Sequence, residues 1–349
     1  MLKSRATSKL LNIIIYLTTV GGAVNFATPE ALALRNELYI TSLGTNEVLK
    51  YDGDTQAFLG TFISSGNGLV APDGFVFGPD GNAYVSGFFS NNILKYNGKT
   101  GEFISIVADN IPGPTQLVFD RDGNLLVNTY GDQLVNDYGD TTGCLPINSC
   151  EVLKYDGITG TFLGVFASGG GLNGSDGLVI GSDDNLYVSS FRSNQILKYD
   201  GETGDFLGVF ASGSEMNAPS GFTFGPDGNL YLTSWFGNQV LKYDGKTGDF
   251  LGVFAAGNGL ENPNRVVFGP DQNLYVSSLG SNQVLKYDGN TGSFLGNFGS
   301  GYTRPTDLIF VTVPEPYSVP EPSSAIGTLL FGSLGSIVLL KYKRKNKVV

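Results

Sequence analysis

Short runs that alternate apolar and polar residues recur along most of this chain, and Gly, Asn and Asp separate them. The clearest copy lies in residues 219–254. Ser220 to Gly225 reads as a strand (A), and Pro226-Asp227-Gly228-Asn229 as a tight turn with an Asp-Gly hairpin signal. Leu230 to Ser234 reads as a second strand (B), Asn238 to Asp244 as a third (C) after a short loop, and Asp249 to Phe254 as a fourth (D) after the turn Gly245 to Gly248. The unit repeats. Its marker, Lys-Tyr-Asp-Gly, starts at Lys50, Lys154, Lys198, Lys242 and Lys286, with the variant Lys95-Tyr96-Asn97-Gly98 between the first two; successive intervals are 45, 59, 44, 44 and 44 residues. Periods of this size belong to helical arrays or to β-propellers, and four short strands per period leave the propeller, one blade per repeat.

The phase at the two ends of the array predicts how it closes. The first strand, Leu38-Tyr39-Ile40-Thr41-Ser42, has the B pattern with no A strand before it, and a sixth A strand, Thr306-Asp307-Leu308-Ile309-Phe310, follows the last D strand after Pro305. Pairing the C-terminal A strand with the N-terminal B strand makes one composite blade and removes the exposed ends of the array. The expectation is an all-β, six-bladed propeller of four-stranded blades over residues 34–312.

Composition sharpens this picture. Fifty glycines and 15% charged residues argue against a helical protein. Residues 35–312 hold 13 basic and 29 acidic side chains, so the body carries −16 and repels phosphate backbones, which argues against nucleic acid as a partner. The ends have the opposite charge. Lys3, Arg5 and Lys9 precede the apolar stretch Leu10 to Val24, and Ala31-Leu32-Ala33 offers a small-x-small cleavage site; residues 1–33 read as a secretory signal peptide, with an uncleaved anchor helix as the alternative. At the other end, a proline-rich linker (313–324) leads to residues 325–349, where an apolar stretch from Ala325 to Leu340 is followed by the basic cluster Lys341 to Lys347. This order predicts a stop-transfer membrane segment with a cytoplasmic basic end.

Pro320-Glu321-Pro322, the apolar stretch and the basic end together resemble the PEP-CTERM sorting signal of exported bacterial proteins. That resemblance implies an exosortase-type processing enzyme as a partner, and a protein that is either membrane-anchored or at the cell surface once its tail is processed. A plain C-terminal anchor is the alternative. A second triplet, Pro314-Glu315-Pro316, reads as part of a stiff spacer. The repeats, with their Pro-x-Gly start, Asp-Gly-Asn turn and Leu-Tyr-Val strand, resemble NHL-type six-bladed propellers; where several NHL repeats carry Asp after strand B's Tyr-Val pair, this chain has Ser86, Ser189, Thr233, Ser277 or Asn128. The repeats also resemble the virginiamycin-lyase propellers, whose chemistry relies on histidine. This chain has no histidine. Ser-His-Asp triads, histidine bases and histidine-metal sites are therefore excluded.

A propeller puts the A–B and C–D turns on one face and the B–C and D–A loops on the other. The first set is copied almost unchanged from repeat to repeat, so its acids read as turn devices rather than calcium ligands. The second set varies, and it holds the candidate ligand-binding residues Phe89, Phe191, Arg192, Trp235 and Phe236. The starts of the A strands add Asp73, Gln116, Asp176, Asn264, Arg265 and Asp307 at the channel mouth. Aromatic side chains near polar groups suit a sugar, a peptide or a partner protein; alternatively, the first aromatic of each loop wedges between blades. The insertion, about Gly131 to Ser149, falls on the same face, and Cys144 and Cys150 beside it predict a disulfide in an exported protein. No cofactor is expected. The leading expectation is a binding module for extracellular polysaccharide or a protein partner. The alternatives are a metal-dependent, lactonase-type hydrolase using Asp73, Asp176, Asn264 and Asp307, and a passive matrix component.

Overall fold

The computed structural model describes residues 34–131 and 150–314. The expected signal peptide, the Pro320-Glu321-Pro322 motif, the expected membrane segment and Cys144 lie outside these residues. The described residues form six four-stranded antiparallel sheets in a closed ring. Blades 2 to 6 each use consecutive strands. Blade 1 combines strands B, C and D from the N-terminal end (Leu34–Ser42, Glu47–Asp52 and Phe58–Ile63) with strand A from the C-terminal end (Pro305–Pro314).

The closing pair has the register expected from the sequence, with Ser42 opposite Pro305 and Leu38 opposite Phe310, and it continues to Leu34 opposite Pro314. The ring thus extends beyond residue 312, and Pro314 ends a strand instead of opening a spacer. A proline is tolerated there because it closes an edge strand, where no further ladder bond needs its missing N–H.

Blade-to-blade packing explains the Leu-Tyr-Val run of strand B. Its tyrosine meets the phenylalanine near the end of strand A in the next blade: Tyr84 with Phe119 (ring centroids 5.0 Å apart), Tyr187 with Phe224 (5.2 Å), Tyr231 with Phe268 (4.9 Å) and, across the closure, Tyr275 with Phe310 (4.9 Å). Each apolar cluster draws on two neighbouring blades, so a single blade has no complete core of its own.

The copied turns are held by a repeated device. The marker lysine reaches the aspartate of its own blade's A–B turn: Lys95–Asp80, Lys154–Asp120, Lys198–Asp183 and Lys242–Asp227 each at 2.8 Å, and Lys286–Asp271 at 2.7 Å. The strand B tyrosine donates its hydroxyl to the same carboxylate in four of these blades (Tyr84, Tyr187, Tyr231 and Tyr275, each 3.0 Å). Blade 1 has no A–B turn because its A strand comes from the far end of the chain. There Glu37 supplies the carboxylate, 3.4 Å from Lys50 and accepting from Tyr39 at 2.7 Å. The first residue after the marker's Tyr makes an Asx turn: Asp52 Oδ1 accepts from the backbone N–H groups of Asp54 (3.1 Å) and Thr55 (2.7 Å). The glycine that follows sits against the A–B turn so closely that a Cβ at Gly245 would lie 1.7 Å from the Gly228 carbonyl oxygen.

Candidate functional site

The opposite face is built on two stitches between blades. The first sits at the end of strand B, where this chain departs from the NHL-type aspartate. Ser86 donates to the Thr115 carbonyl (2.6 Å) and accepts from Gly74 N (2.8 Å); Thr233 donates to Gly221 (2.8 Å) and to Asn264 (3.0 Å); Ser277 donates to Thr306 (2.6 Å); and Asn128 donates to Asp176 O (2.9 Å). These buried hydroxyl and amide groups tie one blade's A strand to the next. The second stitch sits just before strand C. Asn46, Asn91, Asn194, Asn238 and Asn282 hold positive φ, and each side-chain oxygen accepts from a backbone N–H of the following D–A loop, at 2.7 to 3.0 Å. After the insertion in blade 3 this position is Cys150, and its Sγ takes the N–H of Gly174 at 2.9 Å. A sulfur thus replaces an amide oxygen at the one blade whose loop is long.

The stitches fix the B–C loops, and the loops bring their aromatic side chains into one continuous arc. Phe89 meets Phe88 (5.2 Å), Phe88 meets Tyr130 (5.9 Å), Tyr130 meets Phe191 (5.8 Å), and Phe191 meets both Trp235 (6.1 Å) and Phe236 (5.9 Å). Arg192 lies over the Tyr130 ring at 4.9 Å. The first aromatic of each loop is half-buried and pinned by its backbone: Phe191 N donates to Gly174 O and Trp235 N to Ala218 O, both at 2.9 Å. The second aromatic is exposed, Phe89 by 56% and Phe236 by 58%. The first aromatics therefore form the floor and two exposed phenylalanines cap the ends. Blades 6 and 1 interrupt the arc with Leu279-Gly280 and Leu43-Gly44, so it covers blades 2 to 5 only. Tyr130 was not among the residues singled out from the sequence. It sits where the insertion begins, and its place in the loop shows only once the insertion is set aside.

The channel mouth lies inside the arc. The six residues grouped there in the sequence occupy two successive positions of strand A. Asp73, Asp176 and Asn264 stand at the second position of their strands (Pro72–Phe77, Ser175–Ile180 and Pro263–Phe268), whereas Gln116, Arg265 and Asp307 stand at the third. At that third position blades 2, 4 and 5 have Gly74, Gly177 and Gly221; a Cβ on Gly74 would lie 2.4 Å from the Thr115 carbonyl oxygen. Beside Gly74, Asp307 of blade 1 reaches the blade 2 backbone. Asp307 is 2% exposed and accepts from Phe75 N (2.9 Å), Leu308 N (2.9 Å) and Gln116 Nε2 (3.2 Å), while Arg265 Nε lies 3.1 Å from its other oxygen. Arg265, Asp307 and Gln116 thus join blades 6, 1 and 3 across the mouth. Behind them a cavity of about 510 Å³ runs between Val76, Val118, Val179 and Ile309 toward Arg121 and Asp184, an ion pair in the copied turns.

The other two mouth aspartates are in a different state. Burial, then the charges of Asp176 and Asp307, push the Asp73 carboxyl well above the usual range. Burial raises Asp176 to about 6, against the lowering effect of the Ser220 hydroxyl and of Arg265. Neither makes an ion pair among the described residues. Among the described residues no group of three or more acidic, histidine or cysteine side chains is placed to hold a metal ion.

No family model matches the chain, and no curated protein is similar to it. Solved structures are similar in fold. A propeller from the nidogen/laminin complex superposes with a TM-score of 0.63 at 16% identity, covering 79% of this chain and 98% of that one. A catalytically inactive histidine-to-alanine variant of virginiamycin B lyase from Staphylococcus aureus, solved with quinupristin, has a TM-score of 0.52 at 16% identity, covering 79% and 88%. At these identities the likeness establishes the propeller fold and no activity.

Proposed function

We propose that this propeller is an exported, surface-displayed binding module that takes a protein partner on the face carrying the aromatic arc. The arc is the observation that carries the reading. An arc of six aromatic side chains, with exposed phenylalanines at both ends, resembles the centre of a protein-binding surface, where anchored rings supply most of the energy. Its composition favours protein over polysaccharide. Four of the six rings are phenylalanine, which has no polar handle for a sugar hydroxyl, and all the contacts but the tilted Phe88–Phe89 pair are edge to face. The nidogen/laminin neighbour is a propeller solved in a protein complex, which agrees with this use of the fold. The lyase neighbour is inactive once one histidine is lost, and this chain has none, which speaks against the same chemistry here.

The two ends of the ring fit surface display. Leu34 and Pro314 pair at the end of blade 1 on the copied-turn face. The Pro320-Glu321-Pro322 signal follows the ring's last strand in the sequence. The disulfide between Cys144 and Cys150 would then staple the insertion beside the arc.

The test compares the full-length protein with its Phe89→Ala/Phe236→Ala variant as bait against the extracellular fraction of its own culture. A protease-sensitive ligand held by the parent, and lost at least tenfold by the variant at an unchanged unfolding midpoint, is the expected result. Equal capture by both, or a ligand destroyed only by glycosidase, refutes it.

A further inference from the structure

The two faces of the ring differ in charge as well as in pattern. All eight described lysines of the ring stand on the copied-turn side: five pair with A–B turn aspartates, Lys50 pairs with Glu37, and Lys99 and Lys246 lie in C–D turns. The aromatic side has no described lysine. Its cations are Arg192, laid over Tyr130, Arg265, paired with Asp307, and Arg304 in the last D–A loop. Carboxylates are plentiful there: Glu47, Glu151, Glu215 and Glu261 border the loops, and Asp73 and Asp176 line the mouth. Asp73 and Asp176 differ from the leading aspartate of each A–B turn. Asp80, Asp120, Asp183, Asp227 and Asp271 each have a lysine, but among the described residues the two mouth aspartates have no ion-pair partner, although both are held in protein surroundings where an unpaired carboxylate is costly.

On the reading that the aromatic arc binds protein, we infer that the partner segment is basic: it rests apolar side chains on Phe89 and Phe236 and brings a lysine or arginine to the channel mouth, beside Asp73 and Asp176. The apolar contacts supply affinity through buried area, and the cation supplies specificity by giving two carboxylates the partner that the ring itself does not. The same charge pattern disfavours acidic segments, because the described mouth cation, Arg265, is already paired with Asp307.

The experiment probes the full-length protein against an array of random synthetic 12-residue peptides and reads the composition of the bound set. Four proteins are compared: the parent, Asp73→Asn/Asp176→Asn, Phe89→Ala/Phe236→Ala, and Asp122→Asn/Glu202→Gln, which makes the same charge change on the exposed copied turns. The expected bound set is enriched in peptides that combine Leu, Phe or Trp with Lys or Arg. The mouth variant loses the preference for basic over uncharged peptides at least tenfold, the copied-turn variant keeps it, and the arc variant loses binding altogether. If binding depends on Phe89 and Phe236 but shows no basic preference, or if the preference survives in the mouth variant, the charge inference fails while the binding face stands. If no bound peptide depends on Phe89 and Phe236, the binding face fails as well.

Discussion

Asp307 is the residue whose removal most directly tests how the ring closes. It comes from the last strand of the chain, yet its carboxylate is bonded to blade 2 through Phe75 N, to blade 3 through Gln116 and to blade 6 through Arg265. Asp307→Ala strands two buried backbone N–H groups, each worth about 1 kcal/mol net, and leaves a guanidinium of 13% side-chain exposure without its counter-charge. Breaking a buried pair from one side costs about 3–5 kcal/mol. The residual exposure of Arg265 places the expected loss near the lower end, at about 3 kcal/mol. Arg265→Met is the informative counterpart. It leaves Asp307 with three N–H donors, so it should cost less, about 1–2 kcal/mol, and the double variant should cost less than the two losses added. Urea unfolding followed by fluorescence of the single tryptophan, Trp235, measures all three, with an unchanged m-value as the check that only stability has moved. If Asp307→Ala lies within about 1 kcal/mol of the parent, or if Arg265→Met costs more than Asp307→Ala, the mouth network is not what ties the ends of the chain to the ring.

Two further outcomes follow from the same geometry. Asn238→Ala should lower stability by about 2 kcal/mol, because it forces a Cβ-bearing residue without a local hydrogen bond into φ 53° and frees the N–H of Asn262; Asn238→Gly should lose only the hydrogen bond, about 1 kcal/mol, and the difference in urea midpoints separates the two terms. The mouth and the turns should respond oppositely to pH. Asp176, raised to about 6 by burial, holds its proton in the folded state after the unfolded chain has lost it, so its contribution favours folding below about pH 4 and is lost as pH rises through 6. Asp227 goes the other way. Burial alone would raise it, but Lys242, Asn229 and Tyr231 outweigh that and hold it at about 2, so its stabilisation is present above about pH 4 and is lost as pH falls toward 2. Asp176→Asn should therefore flatten the fall in stability between pH 4 and 6 and leave the acid limb unchanged, as read from urea midpoints across that range.

The repeat made the architecture legible, because every copy must solve the same packing problem. The Leu-Tyr-Val strand, the Lys-Tyr-Asp-Gly marker and the missing first A strand lead directly to tyrosine-on-phenylalanine packing, to the lysine–aspartate turn pair and to the composite blade. Substitutions that preserve a job with different chemistry were harder to read. Glu37 replaces a turn aspartate only because blade 1 lacks the turn, and Cys150 replaces a stitching asparagine only beyond an insertion that hides the alignment. The recurring asparagine before strand C was visible in the sequence, but its role depends on a loop belonging to the next blade, which no local pattern shows.

The mouth shows where repeat logic reaches its limit. At the third position of strand A, three blades must have glycine, because the neighbouring backbone passes within 2.4 to 2.6 Å of where a Cβ would be. The other three positions carry Gln116, Arg265 and Asp307, and they fit as a set: Asp307 accepts from the blade 2 backbone at Phe75 and is met by Gln116 and Arg265. Read one copy at a time, each of these three looks like an isolated departure from the consensus. Their complementarity is a property of the closed ring, which brings Gln116 to Asp307 from 191 positions away in the chain. The aromatic arc has the same character, since its rings touch across four blades although each is an ordinary loop residue within its own repeat. Copied positions therefore build the ring, and positions that differ between copies acquire their meaning from the neighbours that closure gives them.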